Sequence, residues 1–336
     1  MTLIQLKYLL GVVDNGLNIT AAADRLFTSQ PGVSKQLRQL EQEVGIQIFS
    51  RKGKALVGVT PAGAAIVDYA RKILRDVDNI RSVGQDLMAE QDGTLSIATT
   101  STQARYVLPD VISQFHERYP NVNLELHQGS SEQIAALVAE GRVDFAIATD
   151  SQSLFPELNL LPCFHWDRIV LTKKDHPLAT SQHELTLAAL AEHPLITYVF
   201  SSNRESSFLR AFSEQQLQPN VVFTARDADV IKTYVRMGMG VGVIAPMAIL
   251  CEDLEDLHAT CARGMFPTVT TWIGMPRDRA LRRYMLDFIA LFAPNWPRDF
   301  IELAATANSQ QVVDELAKKV DLPTRSGCEQ GISIAA

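Results

Sequence analysis

Residues 19–38, ITAAADRLFTSQPGVSKQLR, constrain the fold of this chain more than any other stretch. The alanine run at 21–23 favours a helix that Asn18 caps, and its small side chains let another helix approach closely. Ser29 is the expected cap of a second helix, with Pro31 in the first turn, where a missing N–H costs nothing. The stretch therefore predicts two short helices joined by a tight turn.

The second helix has an apolar back and a polar, basic front. Helical spacing places Val33, Leu37 and Leu40 on the inner side, while Leu26 and Phe27 are the expected apolar anchors of the turn. The other side carries polar and basic residues suited to DNA: Ser29, Gln30, Pro31, Ser34, Lys35 and Arg38. This is the helix-turn-helix pattern, whose front enters the major groove of DNA. On periodicity alone, an ordinary amphipathic hairpin with a solvated face fits equally well, so the surrounding chain must decide.

A basic hairpin is predicted directly after these helices. Gly45 is the expected C-cap of the second helix, and residues 46–60 alternate in the manner of a short β-hairpin. The turn of this hairpin carries Arg51 and Lys52, with Lys54 close behind them. A basic hairpin beside a recognition helix is typical of a wing that contacts phosphates or the minor groove. The alternative is a solvated turn.

Residues 61–89 predict one long helix, because Thr60 caps it, Pro61 opens it and no further proline interrupts it. Apolar residues repeat along it at intervals of three and four: Ile66, Tyr69, Ala70, Ile73, Val77, Ile80 and Leu87. A stripe this long on an otherwise polar helix needs a partner, and a second copy of the helix is the simplest one. We therefore expect a linker that also dimerises the chain. The alternative is a helix packed on its own domain.

The charge distribution separates a basic head from an acidic body. The net charge of −7 argues against a protein that coats nucleic acid along its whole length. Residues 1–63 contain seven Lys/Arg and four Asp/Glu, so this part carries +3 and the rest of the chain −10. Such a distribution suits a protein that contacts DNA through one small module.

Length and composition bound the protein class. At 336 residues, 46% of them hydrophobic, the chain should form two or three domains with ample cores. No apolar run is long enough to span a bilayer, and the N-terminus lacks the pattern of a signal peptide. The four cysteines are widely spaced without a CxxC motif, which predicts neither a zinc site nor a disulfide framework. We expect a cytoplasmic protein without a metal, a cofactor or a membrane partner.

From Gly93 onward, strands alternate with helices, which predicts parallel sheets. Strands are expected at 94–100, 121–129, 143–150, 167–174, 194–200, 220–225, 238–246 and 268–276. Helices are expected at 103–119, 131–141, 183–193, 204–215, 227–237 and 278–292. Crossing strands near 150–167 and 265–275 would join two α/β lobes. This is the two-lobed fold of periplasmic-binding-protein type, which holds small ligands in the cleft between its lobes.

The expected fold class is therefore α/β, with an N-terminal winged helix-turn-helix and a long linker helix. The parts are a DNA-binding domain at 1–60, a linker and dimerisation helix at 61–91, a two-lobed domain at 92–295 and a C-terminal tail at 296–336. Lobe I would take about 92–162 and 268–292, and lobe II about 163–267. One helix is expected in the tail, around 308–319.

A run of polar residues follows the first strand of the two-lobed domain, from Thr99 to Gln103. Hydroxyls and free N–H groups where a helix begins favour an anion such as carboxylate or sulfate. Capping by one threonine would explain one hydroxyl, but not a run of them. The ligand-binding candidates are Thr100, Ser101, Thr102, Gln103, Thr149, Trp166, Ser202 and Asn203. Arg105 is a candidate charge partner, although its position equally suits a surface ion pair.

No catalytic constellation is recognisable. The sequence has no GxSxG elbow, P-loop, GxGxxG after a first strand or HExxH motif. The glycine-rich run at 238–246 is better explained by close packing and a tight turn than by phosphate binding. The chain is therefore not expected to be an enzyme. A solute-binding carrier with an appended helical head is the main alternative to a DNA-binding protein, and a deaminase-like or transferase-like enzyme is a weaker one.

Several segments resemble a known family. The stretch AAADRLFTSQPGVSKQLRQLEQEVGIQIFSR (21–51), followed by TPAG (60–63), strongly resembles the LysR-type transcriptional regulators. Within that family, other segments resemble the CysB subgroup, which regulates sulfur assimilation and cysteine biosynthesis. These are TTSTQARYVLP (99–109), LPCFHW (161–166), DADVIKTYVRMGMGVGVIA (227–245) and the tail from RDFIELA (298–304) to LP (322–323).

The resemblance implies a homotetrameric activator that binds double-stranded promoter DNA and works with RNA polymerase. It implies acetylserine as inducer, sulfide or thiosulfate as anti-inducer and sulfate in the cleft. By position, the family's ligand-site residues correspond to Thr100, Thr102, Gln103, Thr149 and Trp166. The family usually has a threonine where Asn203 stands, if one residue is inserted upstream. A Cbl-like regulator of sulfonate use therefore remains the alternative within the family.

Overall fold

The computed structural model describes residues 1–53, 55–87, 92–149, 152–181, 184–202, 206–277 and 281–326. It describes the side chains of these residues except those at 75, 78, 79, 81–87 and 202. The chain divides into two compact units, Met1–Ala89 and Glu90–Ala336.

The first unit begins with the helices α1 (Leu3–Asp14), α2 (Ile19–Arg25) and α3 (Gln30–Val44). The Asn18 carboxamide accepts two backbone N–H groups at 3.1 Å and so caps α2. The Ser29 hydroxyl accepts the Gly32 N–H at 3.3 Å, and Gly45 ends α3 in the left-handed conformation with φ of 76°. All three expected caps are confirmed, because capping depends only on residues close in sequence.

The inner faces of these helices form one core. Val33, Leu37 and Leu40 are at most 1% exposed, as the helical spacing predicts. The prediction for Phe27 is wrong, because its side chain is 99% exposed and its φ is +50°. Leu26 packs against α1, lying so close to Gly11 that a Cβ added to Gly11 would meet the Leu26 Cδ1 at 2.6 Å. The left-handed backbone conformation of Phe27 directs its own side chain away from the core.

The rest of the first unit consists of the antiparallel strands β1 (Phe49–Lys52) and β2 (Ala55–Val59) and the helix α4 (Pro61–Leu87). Val67 and Ala70 of α4 are buried in the core of the helix-turn-helix. Tyr69 and Ile80 are 67% and 74% exposed. The first half of α4 therefore packs on its own domain, and exposed apolar side chains remain on its other side.

Gly63 lies where α4 passes the wing. A Cβ at this position would stand 2.2 Å from the Ile48 carbonyl oxygen, so backbone atoms would have to move. We expect Gly63→Ala to lower the free energy of unfolding by about 2 kcal/mol, because overpacking outweighs the better helix propensity of alanine. Urea unfolding measures this. Ala65→Gly, at an exposed position of the same helix, is the control and should cost only about 1 kcal/mol. Greater stability of Gly63→Ala would contradict the close approach.

The second unit alternates strands and helices. Its strands are β3 (Gly93–Thr99), β4 (Val122–Gln128), β5 (Phe145–Thr149), β6 (Leu158–Trp166), β7 (Ile169–Lys173), β8 (Leu195–Tyr198), β9 (Val221–Ala225), β10 (Val241–Ile244), β11 (Leu257–Cys261) and β12 (Val269–Pro276). Its helices are α5 (Ser101–Tyr106), α6 (Leu108–Arg118), α7 (Ser131–Ala139), α8 (Pro177–Thr180), α9 (Leu187–Ala191), α10 (Ser207–Glu214), α11 (Ala228–Arg236), α12 (Arg283–Phe292), α13 (Arg298–Ala305) and α14 (Gln310–Ala317).

The strands form two sheets, one in each lobe. The first has the order β4-β3-β5-β12-β6 and the second the order β11-β7-β10-β8-β9. Parallel pairing of β3 with β4 and β5, and of β8 with β9 and β10, gives each lobe its α/β character. The two-lobed α/β class is confirmed. β6 stays in the first sheet as far as Trp166, so the chain leaves lobe I later than the boundary expected at residue 162.

Residues beyond 296 are built into lobe I. Ile301 and Val313 are fully buried in its core. The Gln310 side chain accepts the Leu160 N–H at 2.7 Å and donates to the Leu160 carbonyl at 2.9 Å. The backbone at 323–325 pairs with His165 through two bonds of 2.8 Å. The C-terminal segment therefore covers the edge strand β6, which would otherwise expose unpaired backbone groups.

Three local expectations need correction. The helix expected at 103–119 is two helices, α5 and α6, because Pro109 has no N–H to continue the ladder. The strand expected at 194–200 ends at Tyr198, where a 3₁₀ turn over Val199–Ser202 begins. β11 was not expected, because its alternation of apolar and polar residues extends over only five positions, and it forms by pairing with β7.

Among the described cysteines, Cys163 is a buried free thiol and Cys261 is a half-buried one. No helix in the described ranges has both the length and the apolar character that a bilayer crossing needs. Within those same ranges, no group of three or more His, Cys, Asp or Glu side chains could hold a metal ion.

Candidate DNA interface and ligand site

The outer face of α3 is polar, basic and open. Lys35 and Arg38 are exposed, and neither forms an ion pair within the described part of the chain. The predicted residues Gln30, Pro31, Ser34, Lys35 and Arg38 line a shallow hollow of about 590 Å³, together with Gln39 and Gln42. Ser29 is exposed at the cap of the helix. Gln39 and Gln42 were missed, although each lies four residues after a predicted contact, which is the signal that could have found them.

The wing is attached to α3 through Glu41. One Glu41 carboxylate oxygen accepts the N–H groups of Ile48 and Phe49 at 3.0 and 3.1 Å. The other oxygen lies 2.7 Å from Nη2 of Arg51. Arg51 therefore has an internal partner, while Lys52 is exposed. Lys54 lies outside the described residues.

The ligand-site candidates of lobe I gather at the ends of β3 and β5. Thr100 occupies the N-cap position of α5, yet its side chain makes no capping bond. The Thr99 hydroxyl donates to the Ile147 carbonyl at 2.9 Å, so it is occupied by a bond between β3 and β5. Thr100, Ser101 and Thr149 are half-buried. Because β3 and β5 are parallel, these side chains share one sheet edge, and capping does not account for the Thr100 hydroxyl.

Gln103 is the most telling residue of this group. It is 1% exposed, and its Nε2 donates to the Thr271 hydroxyl oxygen at 3.3 Å. Its Oε1 is buried without a hydrogen-bond partner. Leaving such a group unpaired costs about 1–3 kcal/mol, so buried polar atoms without partners mark places where a ligand or water belongs.

Trp166 and Thr271 lie behind Gln103. The Trp166 indole is 2% exposed, and its Nε1 donates to the Thr271 hydroxyl oxygen at 3.1 Å. Trp166 is thus a buried neighbour of the site rather than an open wall. Sequence reasoning missed Thr271, because one threonine in the strand TVTTWIGMP carries no signal of its own.

Lobe II reaches this group through Tyr198. The hydroxyls of Thr102 and Tyr198 lie 3.5 Å apart, and the Tyr198 hydroxyl accepts the Ala245 N–H at 3.3 Å. Burial raises the pKa of Tyr198, so the phenol stays protonated and able to donate. Ser202 ends the 3₁₀ turn after β8, where its side chain is not among those described, and Asn203 lies outside the described residues.

A charged network also joins α5 to lobe II. The Tyr106 hydroxyl donates to Asp229 at 2.5 Å, and burial together with this carboxylate raises the pKa of Tyr106. Arg105 pairs with Asp229 at 2.8 Å and is 60% exposed, which makes it an ion-pair residue rather than a ligand residue. Lys232 is 3% exposed and contacts Asp229 at 2.9 Å and Asp253 at 2.7 Å. The two lobes are therefore linked directly beside the predicted ligand residues.

Comparisons with known proteins agree with this arrangement. Residues 3–64 match the bacterial regulatory helix-turn-helix protein, lysR family, and residues 89–297 match the LysR substrate binding domain. The HTH-type transcriptional regulator CysB of Haemophilus influenzae is 43% identical over 97% of this chain and 100% of its own length. The HTH-type transcriptional regulator cbl of Escherichia coli is 39% identical over 92% of this chain and 98% of its own. The solved cofactor-binding domain of the Cbl transcriptional regulator is 38% identical, with a TM-score of 0.60, over 65% of this chain and 95% of its own.

Proposed function

Because the chain belongs to the LysR family of bacterial transcription regulators, we propose that it regulates genes of sulfate assimilation and cysteine biosynthesis, mainly as an activator. The relatives named CysB and Cbl support this choice over the carrier and enzyme alternatives, since each is named a transcription regulator. The observation that carries the proposal is the presence, in one chain, of an open basic recognition helix and a buried polar site in which one end of the Gln103 amide has no hydrogen-bond partner.

The DNA-binding half uses α3 and the wing. The outer face of α3 enters the major groove, where amide and guanidinium groups read base edges. The residues that approach the groove are Ser29, Gln30, Pro31, Ser34, Lys35 and Arg38. Arg51 and Lys52 contact phosphate or the minor groove. Arg51 gives up part of its ion pair with Glu41 when it makes this contact. Glu41 keeps the wing in register with α3, since it binds both the wing backbone and Arg51.

The ligand-binding half takes a small anion. The ligand residues proposed in lobe I are Thr100, Ser101, Thr102, Gln103, Thr149 and Trp166, and the sequence adds Ser202 and Asn203 as the candidates from lobe II. Neutral hydroxyl and amide donors in a buried site suit acetylserine, sulfate or thiosulfate. The likeness to the Cbl effector domain supports a second candidate, a regulator of sulfonate or sulfate-ester use with a related ligand.

Assembly and transcription complete the proposal. Tyr69 and Ile80 leave α4 with exposed apolar surface that a second copy of the helix would cover. Dimers formed through α4 pair into a homotetramer, as the family resemblance implies. The tetramer acts in the cytoplasm, where promoter DNA and RNA polymerase are its partners.

Ligand binding is coupled to DNA binding through the lobes. The ligand residues of α5 directly precede Arg105 and Tyr106, which hold Asp229 of lobe II. A ligand that draws Thr102 and Tyr198 closer would therefore shift lobe II relative to lobe I, and in the tetramer this changes the spacing of the recognition helices. Footprints and DNA bending measured with and without ligand test this step, and identical results under both conditions would count against it.

A mobility-shift titration tests the whole proposal. The full chain is titrated onto a sulfate-assimilation promoter fragment at fixed salt, with and without N-acetylserine. Retardation that changes with N-acetylserine is the expected result. Retardation that is the same with and without N-acetylserine would support DNA binding and exclude N-acetylserine as the inducer. Absence of retardation at low salt, where phosphate contacts alone should hold DNA, would overturn DNA binding and restore the carrier alternative.

The hydroxyl of Thr100 provides a matched test of the ligand site. We expect Thr100→Val to weaken sulfate binding roughly tenfold, because one hydrogen bond to a charged ligand is lost, while DNA retardation without ligand is unchanged. Thr94→Val, at the exposed start of the same strand, should bind sulfate like the wild type. Isothermal titration calorimetry measures both. Equal affinities of all three proteins would place the ligand elsewhere.

A further inference from the structure

A chain of three buried polar groups lies beneath the proposed ligand site. The Thr271 hydroxyl oxygen receives the Trp166 indole N–H at 3.1 Å and lies 3.3 Å from the Gln103 amide nitrogen. All three residues are at most 2% exposed, and Thr271 is fully buried. Bulk water does not reach these groups, so their protons must be accounted for by one another or by a molecule held in the site.

The proton count determines how the amide is oriented. An indole N–H only donates, so Thr271 accepts from Trp166 and must place its own hydroxyl proton on another acceptor. With the Gln103 nitrogen toward Thr271, that proton has no acceptor within the described part of the chain, and Gln103 Oε1 is unpartnered as well. The oxygen and nitrogen ends of a glutamine amide are nearly indistinguishable in shape, and half a turn of the amide exchanges them.

Turning the amide gives the Thr271 hydroxyl proton an acceptor and leaves only the Gln103 NH₂ without a partner. Trp166 then donates to Thr271, and Thr271 donates to the Gln103 carbonyl oxygen. The Gln103 NH₂ takes the place of the unpartnered atom, where it presents buried donors and no acceptor. The Thr271 hydroxyl thus locks the amide in the orientation that suits an anion.

A locked donor also discriminates between anions. Sulfate carries no proton at neutral pH, so each of its oxygens can accept a hydrogen bond. Inorganic phosphate keeps at least one proton, which needs an acceptor in the site. Thr100, Thr102, Thr149 and Tyr198 offer only neutral hydroxyls for it, which accept more weakly than a carboxylate and are needed as donors to the other oxygens of the anion. A buried polar group left unpaired is a strong basis for rejecting a ligand.

We infer that Thr271 is a positioning residue that fixes Gln103 as a donor and thereby makes the site select fully ionised oxyanions over protonated ones. This inference rests on the proposed ligand site and extends it by naming the ligand class and the group that sets it. Thr271 acts through Gln103, so its influence on binding should vanish when the Gln103 amide is absent.

Isothermal titration calorimetry of the full chain tests the inference, with sodium sulfate and sodium phosphate at one pH and one ionic strength. The wild type should bind sulfate at least tenfold more tightly than phosphate. Thr271→Val should weaken sulfate binding roughly tenfold and bring the ratio towards one, because the freed amide can offer its oxygen to the phosphate proton. Thr271→Ser should restore both values. Thr270→Val removes a neighbouring hydroxyl that bonds His165 instead, and it should change neither value.

Several outcomes would overturn the inference. If Thr271→Val keeps the wild-type ratio of sulfate to phosphate affinity, the Thr271 hydroxyl has no role in selectivity. If Thr271→Ser binds sulfate as weakly as Thr271→Val, the effect is due to packing. In a Gln103→Ala background, a further tenfold loss from Thr271→Val would show that Thr271 does not act through the amide. A wild type that retards promoter DNA but binds no sulfate would overturn this inference alone. Loss of DNA retardation as well would overturn the proposed function.

Discussion

Replacing Arg38 with alanine should lower the affinity for promoter DNA about 10- to 100-fold and leave sulfate binding unchanged. Arg38 lies on the open face of α3 and has no ion-pair partner within the described part of the chain. Its guanidinium therefore needs no release from an internal contact before it binds DNA. The loss corresponds to about 1–3 kcal/mol, the range of one specific base contact or bidentate phosphate contact.

Fluorescence anisotropy with labelled promoter DNA at several salt concentrations measures this loss and identifies its kind. If Arg38 contacts phosphate, the slope of log affinity against log salt falls by about one. If it reads a base, the slope stays and sequence preference relaxes. Arg210→Ala, at an exposed position of α10, makes the same change in net charge and should bind DNA normally. Unchanged affinity of Arg38→Ala would mean that α3 does not present this face to DNA.

Replacing Lys232 with methionine should destabilise the two-lobed domain by about 3–5 kcal/mol, the cost of breaking a buried ion pair. The Lys232 ammonium is 3% exposed and donates to the Ala248 carbonyl at 3.0 Å as well as to the two carboxylates described above. Asp253 is only 6% exposed and would keep a charge that Arg236 alone would have to balance. Methionine fills a similar volume, so the effect reports the lost charge rather than a cavity.

Urea unfolding of the full chain measures the effect of Lys232→Met. Adding Asp253→Asn in the same chain should recover part of the lost stability, because it removes the Asp253 charge that Lys232 no longer balances. Lys318→Met, at an exposed position of the chain, should change stability by no more than about 0.5 kcal/mol. A Lys232→Met protein as stable as the wild type would show that the network carries little energy.

The same network makes stability depend on pH. Burial raises the pKa of Asp253, but the hydrogen bonds from Lys232 and Arg236 outweigh it and hold the pKa below its ordinary value. Because the folded pKa is lower than the unfolded one, the stabilisation is complete above about pH 4 and is lost as the pH falls through the lowered value. Lys232→Met should weaken this acid dependence.

Local patterns in the sequence were sufficient for the DNA-binding half. Asn18, Ser29 and Gly45 cap their helices as predicted, because each cap involves groups at most four residues away. The inner face of α3 follows from helical period in the same way. Phe27 is the exception, since an apolar side chain predicts burial, whereas the sign of φ in a tight turn determines its direction.

The sequence by itself determined most of the elements, though not β11 or the division between α5 and α6. It also determined which residue types gather at one sheet edge, since parallel strands end together wherever they pair. Only the tertiary structure decided how those residues are connected. The Gln103–Thr271 bond joins residues 168 positions apart, and the Thr102–Tyr198 contact spans 96. The ion pair of Lys232 and Asp253 and the packing of the C-terminal segment on β6 also arise only when the chain folds back on itself. No local periodicity encodes such contacts, because they depend on which surfaces the folded backbone brings within hydrogen-bond distance.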